Sequence, residues 1–181
     1  MHIASRGSPP EQWARSAQRE GGPPVTQDKR TLNDLERELS LFARHYLSTR
    51  QARAGQRLDR SAYLLLTRLE LSGSMSLGQL AEAFRLDIST INRQVGALLK
   101  QGFVERFPDP DGGMARRFRP TDEGLRQLAA DRDRSREGVG TVVAEWPQDE
   151  LATFVDLLTR FNIDIEGVEG NPWPRERDTH G

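Results

Sequence analysis

The chain has 181 residues, of which 35% are hydrophobic and 29% are charged, and its formal net charge is −1. This length suits one ordinary domain with tails, and the low apolar content indicates that part of the chain lies outside a packed core. The chain has no cysteine and three scattered histidines. Disulfide frameworks, thiolate metal sites and thiol-based redox sensing are therefore excluded, and neither a metal nor another cofactor is expected.

Residues 1–29 are rich in glycine, proline, serine and charged side chains, a composition typical of a disordered arm. Nowhere does the sequence approach the run of about 18 apolar residues that a membrane span needs, so we expect a cytoplasmic protein without membrane contact. The first helix is predicted over residues 32–51, capped by Thr31 or Asn33, because its apolar positions recur every three or four residues.

Two further helices are predicted before the middle of the chain. One covers residues 61–71, is capped by Asp59, and should turn toward a core the side chains of Tyr63, Leu64, Leu66 and Leu69. The other begins after Ser76, which forms with Gln79 the pattern of a capping box. Its buried face is expected to hold Leu77, Leu80, Ala81 and Phe84.

The stretch from Asp87 to Arg106 combines an apolar stripe with a polar outer face. Five side chains recur at helical spacing and should face a core, namely Ile88, Ile91, Val95, Leu98 and Leu99. The open faces carry Ser89, Thr90, Asn92, Arg93 and Gln94. Arginine can bind guanine bidentately and asparagine or glutamine can bind adenine, as in a major-groove helix. The same pattern is also typical of an ordinary surface helix, so the neighbouring elements decide between the two interpretations.

Those neighbours favour a DNA-reading motif. Upstream, Arg85 and Leu86 end the preceding helix and Asp87 can cap the next, so the connection is short enough to predict a helix-turn-helix. Downstream, Gly102 can end the helix, and strands are predicted over residues 103–107 and 115–119 around a turn rich in proline and glycine. Seven basic residues stand against four acidic ones from Arg85 to Arg119, a local charge of +3, so the predicted winged head is basic.

A long helix is predicted over residues 123–146, capped at Thr121 and kinked or broken near Gly138 and Gly140. Its charged middle, residues 131–137, is expected to be a solvated face with alternating signs. A last helix is predicted over 148–165, and the chain beyond Gly167 is expected to be a tail.

The sequence from about Leu58 to Gly124 resembles the multiple-antibiotic-resistance regulator (MarR) family, because SLGQLAEAF, STINRQVGALLKQGFVER, DPDGG and RPTDEG stand in that family's order and spacing. The resemblance implies a mainly α fold with a small β-wing, in which a winged helix-turn-helix head is joined to N- and C-terminal dimerisation helices. It also implies a homodimeric transcription factor, commonly a repressor, whose affinity for double-stranded DNA falls when a small molecule binds.

The expected organisation is an arm (1–29), one domain (30–166) with its head at 58–120 and its dimerisation helices at 32–51 and 121–165, and a tail (167–181). The expected function is that of a ligand-responsive repressor reading a palindromic operator through helix 87–101 and wing 103–119. A winged helix that only binds other proteins is the alternative. An enzyme is not expected, because no nucleophile–base pair or phosphate loop is present.

The candidate DNA contacts are Ser76, Ser89, Thr90, Asn92, Arg93, Gln94, Arg116, Arg117 and Arg119. In the family, a wing arginine that enters the minor groove commonly follows the DP turn, whereas the matching positions here are Gly112, Gly113 and Met114. Either the wing contributes little, or Arg116 or Arg117 replaces the missing side chain. Alternation along a strand sends these two to opposite faces, and we favour Arg116, with Arg119 bound to a phosphate or to an acidic neighbour.

The resemblance also implies an effector cavity between the dimerisation helices and the head. The residues that could line it for a small aromatic or phenolic acid are Phe42, His45, Tyr46, Arg50 and Tyr63. Arg50, one turn beyond Tyr46, would supply the counter-charge. Taken singly, each residue has an ordinary structural interpretation, because aromatic side chains at helical spacing are usually core and a single histidine is usually structural or solvated.

Overall fold

The computed structural model describes residues 28–52, 57–108 and 116–175, and within these segments the chain forms six helices and three short strands. In chain order they are α1 (Lys29–Ala52), α2 (Arg60–Ser72), β1 (Met75–Ser76), α3 (Leu77–Phe84), α4 (Ile88–Lys100), β2 (Val104–Phe107), β3 (Arg117–Pro120), α5 (Asp122–Val142) and α6 (Gln148–Glu169). The predicted fold class is confirmed. The predicted arm lies outside the described residues, apart from its last two positions.

Three of the predicted helix caps are present. The Asp59 carboxylate accepts the Ala62 amide at 2.8 Å at the start of α2, and the Thr121 hydroxyl accepts the Gly124 amide at 3.0 Å at the start of α5. At α3 the Ser76 hydroxyl and the Gln79 side chain form the complete capping box. Each cap satisfies amide groups that have no partner within the helix, which fixes where these three helices begin.

The predicted cap of α1 is wrong, because the helix begins earlier than the apolar stripe suggests. The Asp28 carboxylate accepts the Arg30 amide at 3.2 Å, and the Asp28 carbonyl accepts the Leu32 amide at 3.1 Å. Thr31 and Asn33 are therefore already helical residues.

The core lies in the head, where α2, α3 and α4 pack on the sheet and on the first turns of α5. The apolar side chains with no more than 1% exposure are Leu65, Leu66, Leu69, Leu80, Ile91, Val95, Leu98 and Leu128. Burying each of the larger ones stabilises the fold by about 1.5–3 kcal/mol. In α2 the buried stripe begins at Ala62 and includes Leu65, whereas the predicted core residue Leu64 is half-buried. Because residues 63–66 are all apolar, the sequence pattern did not show which of them face the core.

The wing belongs to a three-stranded antiparallel sheet of order β1–β3–β2. Phe118, at the centre of β3, lies opposite Met75 of β1 and Arg106 of β2 and is buried. The prediction of two strands was therefore incomplete, because it lacked β1. A two-residue strand carries too few side chains to show an alternating pattern, so β1 could not be recognised before its pairing with β3 was known.

Helix α5 begins against the backbone of Phe103, the residue before β2, and it is continuous but ends four residues before the predicted end at residue 146. A Cβ atom added at Gly124 would lie 2.1 Å from the Phe103 carbonyl oxygen, so only glycine permits this close approach. The helix runs through Gly138 and Gly140 and ends at Val142, so the predicted break near these glycines is wrong. A cost of about 1 kcal/mol for each glycine does not by itself end a helix of this length.

The charged middle of α5 is not simply a solvated face, as the sequence had suggested. Asp131 is fully buried, accepts the Leu58 amide at 3.1 Å and the Gln127 side-chain amide at 2.9 Å, and pairs with Arg134. Next to it, Arg132 bonds Glu70 of α2 at 2.6 Å. The approach of α2 removes this side of α5 from water. A carboxylate buried in this way must be paired and hydrogen-bonded, and Asp131 is both.

The expected C-terminal tail is also partly wrong. Helix α6 continues to Glu169, and residues 170–175 turn back and contact α2 and α3. Residues 176–181 lie outside the described part of the chain.

Replacing Asp131 with alanine should lower the free energy of unfolding by about 3 kcal/mol, because the buried Leu58 amide and the neighbouring Arg134 lose a charged acceptor. Urea unfolding followed by circular dichroism measures this change. Asp133→Ala is the matched control, since Asp133 forms the same kind of i,i+3 pair with Arg136 at an exposed position. It should change stability by less than about 0.5 kcal/mol. Equal losses in the two variants would show that the buried carboxylate has no special role.

Candidate nucleic-acid interface

A three-residue connection sets the orientation of α4 relative to α3. Arg85 adopts the left-handed conformation, with φ 50° and ψ 44°, and its amide bonds the Ala81 and Glu82 carbonyls. A non-glycine residue pays about 1–2 kcal/mol for this conformation, which the surrounding packing must offset. At the start of α4 the Asp87 carbonyl accepts the Thr90 and Ile91 amides, but its side chain makes no capping bond, so the predicted side-chain cap is wrong.

Helix α4 is anchored by one face and open on the other. Ile91, Val95 and Leu98 are buried, whereas Ser89, Asn92 and Arg93 are exposed. The other two predicted contact residues, Thr90 and Gln94, are half-buried at the edge of the open face. The five polar side chains therefore form one continuous surface, with the donors and acceptors that base edges and phosphates require.

The first turn of this helix differs from the prediction. Ile88 is 57% exposed, so the apolar stripe becomes buried only from Ile91 onward. The Ile88 side chain lies beside the open face and is available for apolar contact there. Ser76, by contrast, is half-buried and its hydroxyl oxygen accepts the Gln79 amide, so the contact that the structure describes for it is a cap.

A groove of about 290 Å³ flanks the open face between α4 and the start of α2. Arg57 lines it together with Arg93, Gln94 and Gln101. The hydrogen bond from the Leu58 amide to buried Asp131 holds this segment in place. Arg57 was not among the predicted contact residues, and its only signal in the sequence is a positive charge two residues before the Asp59 cap.

The three arginines of the returning strand have different surroundings. Arg116 is exposed, just before β3. Arg117 is half-buried and donates to the Ser74 hydroxyl at 3.0 Å and to the Ser74 carbonyl at 2.7 Å, which ties β3 to the turn before β1. Arg119 pairs with Glu105 at 2.5 Å and lies 5.0 Å from the Phe107 ring centroid. The wing tip, with Gly112, Gly113 and Met114, lies outside the described residues.

The predicted ligand residues are not gathered into one described cavity. Phe42 is 57% exposed on α1, His45 is exposed beside it, and the side chains of Tyr46 and Arg50 lie outside the described part of the structure. Tyr63 is half-buried and lines a cleft of about 580 Å³ between α2, α5 and the start of α6. The other lining side chains include Arg132, Arg136, Val139, Val143, Leu151 and Val155.

Two further features concern the described segments as a whole. None of their helices is both long and apolar enough to span a lipid bilayer. They also contain no group of three or more histidine, aspartate or glutamate side chains arranged to hold a metal ion.

Comparison with known proteins places this geometry in a family. Residues 58–112 match the sequence model of the MarR family. The chain is 38% identical over 138 residues to the uncharacterized HTH-type transcriptional regulator YxaD of Bacillus subtilis, a match that covers 75% of this chain and 96% of that protein. The chain belongs to the MarR family. The structure of a MarR family protein from Bacillus stearothermophilus superposes with a TM-score of 0.69 at 20% identity, over 77% of this chain and 99% of that one.

A second solved structure agrees. The PcaV transcriptional regulator from Streptomyces coelicolor is 27% identical with a TM-score of 0.55, over 75% of this chain and 97% of that one. As a MarR-family member, the protein is a DNA-binding transcriptional regulator with a winged helix-turn-helix, and its family is not a class of enzymes. The alternative of a winged helix that only binds other proteins is not supported.

Proposed function

We propose that the protein is a homodimeric, ligand-responsive repressor that reads a palindromic operator. The observation that carries the proposal is the asymmetry of α4, whose apolar side is buried while its polar side stays open and basic at Arg93. In this proposal the head, residues 58–120, reads DNA, and the helices on either side of it, residues 32–51 and 121–165, pair the subunits.

Within one head, we propose that α4 enters the major groove. Asn92, Arg93 and Gln94 would reach base edges, whereas Ser89 and Thr90 at the positive end of the helix would bind phosphate. Arg57, beside Arg93 in the flanking groove, is suited to a phosphate on the same strand.

For the wing, the described contacts favour Arg116 as the side chain that binds DNA. Arg117 already donates two hydrogen bonds to Ser74, and Arg119 is paired with Glu105, so a phosphate would have to compete with these partners. Exposed Arg116 faces no such competition from a described partner, and a narrow minor groove attracts a guanidinium group through its negative potential.

Three single replacements test this assignment on an operator that the wild-type protein selects from a random DNA duplex pool. Arg93→Ala should weaken specific binding by about 1–3 kcal/mol, because a bidentate base contact is lost. Arg116→Ala should flatten the slope of log affinity against log salt by about one unit, because one cation that neutralises phosphate charge at the minor groove is lost. Arg117→Ala should lower stability by about 1 kcal/mol through its bonds to Ser74 and leave that slope unchanged.

Unchanged operator affinity in Arg93→Ala would remove α4 from the interface. A change of slope in Arg117→Ala instead of Arg116→Ala would reverse the assignment of the wing contact, and no change in either would mean that the wing does not touch DNA.

The proposed dimer rests on apolar surface that the single chain leaves uncovered. Every described side chain of α1, residues 29–45, is exposed, and α6 has no buried residue. The exposed large apolar residues of these two helices are Leu32, Leu35, Leu39, Leu41, Phe42, Phe154, Val155, Leu157, Leu158 and Ile163. Contiguous apolar surface of this kind marks a protein interface, and a twofold pair would also supply two heads for two half-sites.

Replacing Leu39 with glutamate should weaken the dimer about tenfold or more, since burial of one leucine contributes about 1.5–3 kcal/mol. Sedimentation equilibrium at micromolar concentration measures the change. Glu38→Gln, at the neighbouring exposed position, is the control and should leave the association unchanged. A wild-type protein that is folded but monomeric at this concentration would contradict the dimer.

For ligand control, we propose the cleft at Tyr63 as the effector site, with a small aromatic or phenolic acid as the ligand. Its apolar walls suit an aromatic ring, and Arg132 and Arg136 lie at its edge as cationic groups for a carboxylate. Arg132 is paired with Glu70 and Arg136 with Asp133, so the acid would have to exchange with these partners.

Hydroxybenzoic acids should raise the melting temperature by about 5 °C at a hundredfold excess over Kd, because they bind the folded state. They should also release the operator. Tyr63→Ala should abolish both responses, whereas His45→Ala, on exposed α1, should keep them. Loss of the response in His45→Ala alone would move the site to the set predicted on α1, and no response in the wild type would reject this ligand class.

A further inference from the structure

The chain does not end in a free tail after α6 but reverses onto the head. Gly170 takes a left-handed conformation, with φ 64°, and its amide and that of Asn171 both bond the Glu166 carbonyl. Glycine accepts this conformation without a steric penalty, so the helix stops here and the chain turns back. We call residues 170–175 the C-terminal strap.

The strap is first fixed to its own helix. The Glu166 carboxylate accepts the Trp173 amide at 3.1 Å and two hydrogen bonds from the Arg175 guanidinium group, at 2.9 and 2.6 Å. The hydrogen bond from Arg175 lowers the pKa of Glu166, so this carboxylate stays charged and keeps its partners at neutral pH. A bidentate pair of this kind restricts orientation as well as distance.

The strap then contacts two helices of the head. The Asn171 side-chain amide donates to the Ala83 carbonyl at the end of α3 at 2.9 Å. The Trp173 ring meets the Phe84 ring edge-on, with centroids 5.5 Å apart and planes at 80°. The Arg68 guanidinium carbon of α2 lies over the same ring, 5.2 Å from the Trp173 centroid.

The Arg68 contact indicates that this docking is specific. Its Nε and Nη1 atoms are buried and have no hydrogen-bond partner among the described residues. Partial burial lowers the pKa of Arg68, as expected for a cation that loses part of its hydration. The face of the indole ring lies over this partly buried charge, a contact that a freely moving tail would not keep.

The strap contacts the end of α3, close to the connection that orients α4. Ala83 and Phe84 form the last turn of α3, directly before the connection that orients α4. Helix α6 has 22 residues and is therefore about 33 Å long. A tilt of only about 6° would move one end of such a helix by about 3.4 Å relative to the other, which is the rise of one base pair.

We infer that the C-terminal strap is a positioning element that fixes the reading head on α6 and thereby sets the half-site spacing that the protein accepts. This inference rests on the proposed dimeric reader, in which α6 belongs to the subunit interface. Trp173 and Asn171 would then select operators by spacing without touching DNA.

The test uses the full chain and the operator selected by the wild-type protein, together with probes in which one base pair is added or removed between the half-sites and a probe with a single half-site. Wild-type protein should bind the altered spacings about tenfold or more weakly. Trp173→Ala should bind the selected operator less tightly and discriminate less than threefold between spacings. Its binding to the single half-site should be unchanged, because the head itself is intact.

Trp173→Phe retains a ring against Phe84 and Arg68 and should restore most of the spacing preference. Asn171→Ala, which removes one hydrogen bond and no apolar surface, is the second variant if Trp173→Ala does not fold, and it should reduce the preference in the same direction. Sedimentation equilibrium and circular dichroism on each variant establish that it is dimeric and folded.

Two results would overturn the inference: an unchanged spacing preference in both strap variants, or an equal loss on the single half-site, which would give the strap a merely structural role in the head. A wild-type protein that is monomeric or indifferent to spacing would instead refute the proposed dimeric reader, so the two failures are distinguishable.

Discussion

The burial of Ile91, Val95 and Leu98 in the core of the head is the interaction on which the other features of the head depend. These three side chains hold α4 by one face, and their removal from water is the main source of its stability. Because the helix is held in this way, its polar side must point outward. The proposed DNA contacts and the core packing thus lie on opposite sides of the same 13-residue helix.

Polar contacts then fix details that apolar packing leaves loose. Buried Asp131 accepts the Leu58 amide and so holds the segment that carries Arg57 beside α4. On the wing, Arg117 holds the sheet to Ser74 while Arg116 stays exposed. Hydrogen bonds are directional and depend steeply on distance, so these few bonds determine where the outer arginines stand.

The outer helices have the opposite character. Helices α1 and α6 expose their apolar residues, and the C-terminal strap links the far end of α6 to α2 and α3 through Trp173. The exposed apolar surface of α6 is thereby connected to α3, the helix that precedes α4. In a dimer, such a connection would convert the geometry of the subunit interface into a geometric constraint on DNA.

The sequence determined whatever depends on local periodicity or on short-range hydrogen bonds. The capping box at Ser76, the caps at Asp59 and Thr121, the open face around Arg93 and the left-handed Gly102 were all predictable, because each depends on residues within one or two turns. Tertiary structure decided the burial of Asp131, the pairing of Met75 with Phe118 and the docking of Trp173. Each of these joins residues more than 40 positions apart. The sequence of a charged run, of a two-residue strand or of a proline-rich end does not show whether another element packs against it. Only the fold could therefore reveal these contacts.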